Sequence, residues 1–354
     1  LALAAFSLLA AISLGSAGPG ARDLWGQLFD GGDPMVRTIV LDLRLPRALT
    51  AFAVGGLLAL AGVAMQVLLR NPLADPYVLG VSGGASVAAL AAMLGGLSMA
   101  MVQGAAFGGA LCATLLVFGL SHGQGGWTPT RLLLTGVVVA AGTGAIVSLL
   151  LAAGDPTQLR DMVFWLMGDL SFAGSPAGLL LLLAISMPVG LLAARPLNVL
   201  ARGDVQAQLL GVPVGPLRVA LFAAASLMTA VTVTTVGAIG FVGLVVPHLT
   251  RLVLGSDHRR VIPAAALAGG MAGRDRAHAG GCETLARSTD LRDRQDPPRL
   301  RSSAQGSRVW PRAPGRPLVA HARRRAGAHR GHARRRGLRC ATRGEGVRGR
   351  GRGG

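Results

Sequence analysis

Lysine is absent from all 354 residues, and the first 272 contain no glutamate either. Those 272 residues hold ten Asp, every one of them outside the long apolar runs. Each absence excludes a class of protein. A nucleotide-hydrolysing loop needs a lysine to reach the phosphates, so ATP hydrolysis would have to come from another polypeptide. An ion-coupled transporter places titratable groups inside the membrane, and no apolar run here contains Asp, Glu or Arg in its middle. Three cysteines, Cys112, Cys282 and Cys340, show neither CxxC nor Cys/His ligand spacing, which argues against a disulfide framework or a zinc site. No Ser and His pair forms a nucleophile-and-base pattern. The sequence calls for no catalytic residue, no metal and no cofactor, and His248, beside Pro247, reads as structural or interfacial.

What the chain does have is long apolar runs and an uneven supply of arginine. Residues 1–272 carry 13 Arg against 10 Asp, a net +3, whereas residues 273–354 carry 22 Arg against four Asp and two Glu, a net +16. Basicity therefore belongs to the tail, and a nucleic-acid-binding reading of the whole chain fails for the body. A bilayer core of about 30 Å needs roughly 20 apolar helical residues. Runs of that kind lie near 1–17, 48–69, 77–96, 98–120, 132–153, 175–194 and 217–236, followed by a broken segment at 238–252 and a start near 261. The first run has no basic segment before it and reads as a membrane helix rather than a signal peptide. Tyr77 to Leu120 is uncharged throughout and too long for one crossing, so a turn is expected at Gly95-Gly96. The stretch from Val219 to Thr250 poses the same problem, with Gly237, Gly240, Gly243 and Pro247 as expected breakers. Arginine bias sets the orientation. If the first span runs outward, eight Arg of the body fall in inner connections and five in outer ones.

Four motifs follow in order: RLPR at 44–47, GGLLALAGVAMQVLLRNPLADPYVLGVSGGAS at 55–86, GDVQAQLLGV at 203–212 and GAIGFVGLVVPHLTRLVLGSDHRRVIP at 237–263. In this order and spacing they resemble the permease subunit of the iron-siderophore, haem and cobalamin ABC importers. The resemblance covers nearly all of residues 1–272. It implies an all-α, polytopic membrane helical bundle of the type II ABC importer kind, with ten spans per subunit. It also implies a homodimer with a second permease copy, cytoplasmic ATPase subunits, an extracytoplasmic substrate-binding protein and a metal-chelate cargo. The location implied is the bacterial cytoplasmic membrane, in contact with membrane lipid, and no nucleic-acid partner is expected.

Site expectations come from matching these motifs. GDVQAQLLGV lies between two spans on the inner side, where Asp204 can cap a short helix and Gly211 can end it. The resemblance makes this the element that couples to the ATPase, through Gly203, Asp204, Ala207, Leu210 and Gly211; the plainer alternative is a helical turn in a loop. Arg44 and Arg47 flank a Leu-Pro before the second span, either as snorkelling anchors or, as the resemblance implies, as contacts for the binding protein. Asn71, Pro72 and Pro76 read as punctuation at the inner face. Thr143 and Ser148 lie in the span that lines the pathway in this family, although their hydroxyls can equally bond back to their own helix.

The sequence departs from the family after AAALAGG at 264–270, where a ninth span begins and then gives way to MAGRDRAHAGGCETLARSTD. The body, 1–272, is thus read as a permease domain missing its last two complete spans. The remainder, 273–354, is read as a separate, disordered tail. Arg, Gly, Ala and Pro, the residues encoded by G and C alone, make up 52 of the tail's 82 residues. A frameshift near codons 268–273 is the expectation, with a basic tail that binds anionic lipid or RNA as the alternative. As written, the chain is expected to transport poorly, and a nonfunctional truncated fragment stands as the other reading of the whole.

Overall fold

A computed structural model describes residues 39–121, 128–168 and 175–273 of the chain. All of these fall within one unit, Leu1–Pro297, and the second unit, Pro298–Gly354, lies outside the described residues, as do the first apolar run and the arginine-rich tail. Among the described residues the secondary structure is helical, without strands.

A π-helical turn, Ile39–Arg44, runs directly into α1, Leu45–Leu68. Pro46 sits in the first turn of α1, where its missing N–H costs no helical bond. From Ala53 to Leu68 every residue of α1 is buried. A helix that is apolar all round belongs in the middle of a bundle, and α1 is packed by α6 (Ala177–Leu192), α9 (Val214–Val236) and α10 (Val242–Leu254). The predicted turn in the long uncharged run is present: α2, Val81–Leu94, and α3, Met99–Ser121, are joined through Gly95 and Gly96, with Gly96 at φ +67°. Gly84 of α2 and Gly109 of α3 meet so closely that a Cβ on either would strike the other's carbonyl, the small-residue packing that lets apolar helices associate. Next in the chain are α4, Pro129–Ala153, and the shorter α5, Pro156–Met167.

Four described helices, α1, α3, α4 and α9, are long and apolar enough to cross a bilayer. A fifth span forms if α6 is joined to α7, Ala194–Leu200, across a 60° bend. α8, Asp204–Leu209, follows, and after α10 a last helix, α11, occupies 258–273.

The break between α9 and α10 is narrower than the sequence suggested. It occupies 237–241, with Gly237 at φ +75° and Phe241 at φ +71°. Gly243 and Pro247 lie inside α10 instead of interrupting it. Gly243 is small because its backbone is pressed against Gly62 of α1 and the ring of Pro76. Pro247 removes one helical hydrogen bond, to the carbonyl of residue 243, and the helix continues past it. Non-helical backbone inside an apolar bundle needs partners from the protein, and Tyr77 supplies them in the break while Gln66 braces the first turn of α10. The Tyr77 hydroxyl donates to the Ile239 carbonyl and accepts from the Ile239 N–H, both at 3.1 Å. Gln66 of α1 donates to the Leu244 carbonyl at 3.1 Å.

Candidate coupling site

At one end of the bundle the structure gathers connections that are far apart in sequence. Arg70, just past α1, and Arg218, in the first turns of α9, both pair with Asp204 at the start of α8. The Arg218 Nη2 reaches the two carboxylate oxygens at 2.8 and 2.6 Å. Asn198 of α7 bonds to Asp257 and His258 at the entry of α11. Arg70, Arg202, Arg218, Arg259 and Arg260 are among the charges that the arginine bias assigns to the inside, so this end is the inner one on that rule.

α8 is a single short helix with glycine at both borders. Gly203 holds the N-cap position at φ +137°, and Gly211 follows the helix at φ +75°; both are conformations that a side chain disfavours. The helix closes with bonds from the Gly211 N–H to Gln208 and from the Val212 N–H to Ala207, the paired pattern of a Schellman end. Gly211 therefore terminates the helix as expected. Asp204 differs from the expectation. It is the first helical residue and makes no capping bond, because Gly203 already occupies the cap and the carboxylate turns sideways to the two arginines. α8 is thus fixed to α1 and α9 by charge.

The faces of α8 differ sharply. Ala207 is fully buried against the bundle. Val205, Leu209 and Leu210 are 70%, 81% and 71% exposed. Val205 and Leu209 are one turn apart and share a face. Three large apolar side chains, two on α8 and one at its C-cap, thus stand exposed together at the charged end of the bundle.

A second polar cluster lies beside α8. The Asn198 Oδ1 accepts the His258 backbone N–H at 2.9 Å and lies 2.6 Å from His258 Nδ1, while the Asn198 Nδ2 donates to Asp257 at 2.7 Å. Asp257 caps α11, accepting from the Arg259 N–H at 3.1 Å. Those two bonds, from Asn198 first and the Arg259 backbone second, hold the Asp257 carboxyl below its usual range. His258 is pushed down to about 4, first by burial and then by the nearby Arg251, so its ring is neutral at pH 7 and Nδ1–H is the donor to Asn198.

The other expected site residues are dispersed. Arg44 is half-buried and Arg47 exposed at the start of α1, the end opposite Arg70. Thr143 is half-buried, packed against Gly83 of α2, and its hydroxyl bonds back to Val139 and Ala140. Ser148 lies on the exposed side of α4 and bonds back to Gly144. Sequence reasoning missed the partners of the site. Arg70 and Arg218 entered it only as charges that set orientation. Asn198 and Tyr77 carried no signal, because the residues they hold lie 60 and 162 positions away.

The fold and this site define a multi-pass, all-helical membrane transport subunit. The FecCD transport family model matches residues 3–272, and the chain belongs to that family. It is 42% identical over 257 residues to the cobalamin import system permease protein BtuC of Halobacterium salinarum, covering 72% of this chain and 68% of that one. It is 40% identical over 276 residues to the hemin transport system permease protein HmuU of Yersinia pestis, covering 74% and 81%. Among solved structures, an inward-facing conformation of a metal-chelate type ABC transporter superposes with a TM-score of 0.68 at 29% identity, covering 81% of this chain and 89% of that one.

Proposed function

We propose that this chain is the transmembrane subunit of an ATP-driven importer of a metal chelate, of the ferric siderophore, haem or cobalamin class. It works as a homodimer by alternating access, in the cytoplasmic membrane of a bacterium. The observation that carries this reading is α8, an anchored helix whose Val205, Leu209 and Leu210 are exposed at the arginine-rich end. A separate ATPase subunit docks there. The Asp204 pairs with Arg70 and Arg218 make α8 a rigid handle, so that displacement of the ATPase moves α1 and α9 with it. At the opposite end Arg44 and Arg47 face an extracytoplasmic binding protein, whose acidic residues they steer. The chain performs no covalent chemistry. The names of the relatives, for cobalamin and hemin, support a bulky metal-centred cargo. Thr143 and Ser148 belong to the helix lining the path, with Ser148 on its open side.

Co-purification of the full chain with the ATPase subunit of its transport system tests this reading. Burying one leucine is worth about 1.5–3 kcal/mol, so Leu209→Glu or Leu210→Glu should weaken the complex at least about tenfold, whereas Leu97→Glu, at an exposed position in the turn between α2 and α3, should not. Equal recovery of ATPase with the α8 variants would refute α8 as the docking element.

A further inference from the structure

We infer that Asn198 and His258 form a positioning latch that makes the inner end of α11 move as one body with the coupling element. The inference rests on the functional reading of α8 given above. One amide side chain makes three contacts at the start of α11: with the His258 N–H, with the His258 ring and with the Asp257 carboxylate. The first two use the same oxygen, and the third uses the amide nitrogen, so both ends of the amide are hydrogen-bonded. The first N–H groups of a helix have no partner within it. Here Asp257 satisfies that of Arg259, and Asn198, from a segment 60 residues earlier, satisfies that of His258.

The placement of Asn198 gives this bond its consequence. It lies on α7, six residues before Asp204. The connection between them is continuously hydrogen-bonded, from Ala201 to Leu197, Arg202 to Val199 and Gly203 to Leu200. Leu197 and Leu200 of α7 and Ala207 of α8 are all buried. α7 departs from α6 through a 60° bend, so a displacement of α8 is passed to α7 without being carried straight along α6. The polar attachment of α7 through this amide leads to α11. His258 is 1% exposed, which keeps water from competing for its Nδ1–H. The neutral ring, held so by burial and by Arg251, is the state in which Asn198 Oδ1 has one defined donor.

Two spin labels, at Gln208 on α8 and Arg260 on α11, read the latch directly in the full chain with its three native cysteines replaced by alanine. With the ATPase subunit bound, the distance between the labels is measured without nucleotide and with ATP and vanadate. In the otherwise unmodified chain the distribution should stay single and unshifted. Asn198→Ala and His258→Leu should broaden or split it on addition of ATP, and stimulation of ATP hydrolysis by the chain should fall about tenfold, as losing roughly 1.4 kcal/mol of hydrogen bonding implies. His258→Asn, which places an amide N–H where Nδ1–H was, should restore both readouts. If Asn198→Ala does not fold, the His258→Leu and His258→Asn pair decides the question. A distribution and stimulation unchanged in the folded variants, or no rescue by His258→Asn, would overturn the latch alone. A chain that binds no ATPase would remove the functional reading, and the latch's role with it.

Discussion

Asp204 shows how a residue's role depends on neighbours the sequence does not advertise. Its place at the head of GDVQAQLLGV suggests a cap, yet the backbone freedom of Gly203 moves the cap one residue earlier and releases the carboxylate to Arg70 and Arg218. Arg218 is only 12% exposed, Asp204 31% and Arg70 35%, so the cluster is partly shielded and exceeds an ordinary surface pair. Asp204→Ala should lower the stability of the solubilised chain by about 1–2 kcal/mol, and added salt should shrink the difference. Thermal unfolding at low and high salt measures both. His258 gives a separate test. Its pKa, about 4, lies below the ordinary 6.5, so the unfolded chain binds the proton more readily. The neutral histidine costs nothing above pH 6.5, and stability is lost as pH falls from 6.5 towards 4. The full loss is on the order of 3 kcal/mol. Unfolding midpoints at pH 7 and pH 5 should separate in the wild type and draw together in His258→Asn.

At the scale of elements, sequence pattern located the helices well because spans are read from length and apolarity alone. The turn at Gly95-Gly96, the ends of α3 and α4 and the existence of α8 all follow from glycine, proline and charge. The α9–α10 break was only half legible. Gly243 and Pro247 look like the breakers next to them, but Gly243 is small for contact, and that contact is with α1, 181 positions earlier in the chain. Pairs such as Gly62 and Gly243 leave no local trace. A Cβ at Gly62 would overlap the Gly243 carbonyl, whereas one at Gly104 meets nothing within 4 Å. Gly62→Ala should therefore cut the yield of monodisperse protein several-fold while Gly104→Ala leaves it unchanged, a comparison that gel filtration settles. The Tyr77 brace, equally long-range, can be tested at the backbone it holds. Tyr77→Phe removes both bonds to Ile239 and leaves its half-buried backbone groups unmet, at about 1 kcal/mol. Amide exchange at Ile239 should accelerate, with little change in the middle of α1.

The described bundle has two distinct ends. One gathers Arg70, Asp204, Arg218, Asn198 and His258 around a helix with three exposed apolar side chains; the other begins α1 with Arg44 and Arg47. Arginine counting assigns the first of these to the inner face, and the family motifs single out the loop that carries α8. Neither revealed that α1, α7, α9 and α11 are tied together at the arginine-rich end, since those ties join single residues across the length of the chain. No carboxylate lies inside a described spanning helix, and the proposed function takes its energy from a separate subunit. The measurement that tests this most directly is site-specific cross-linking in cells, with single cysteines at Leu209 and at Arg47 in turn. The account predicts that the first cross-links to the ATPase subunit and is shielded from a membrane-impermeant thiol reagent. The second reacts with that reagent from outside and never meets the ATPase. Labelling of Leu209→Cys from outside, or its failure to reach the ATPase while that subunit is present, would contradict the account.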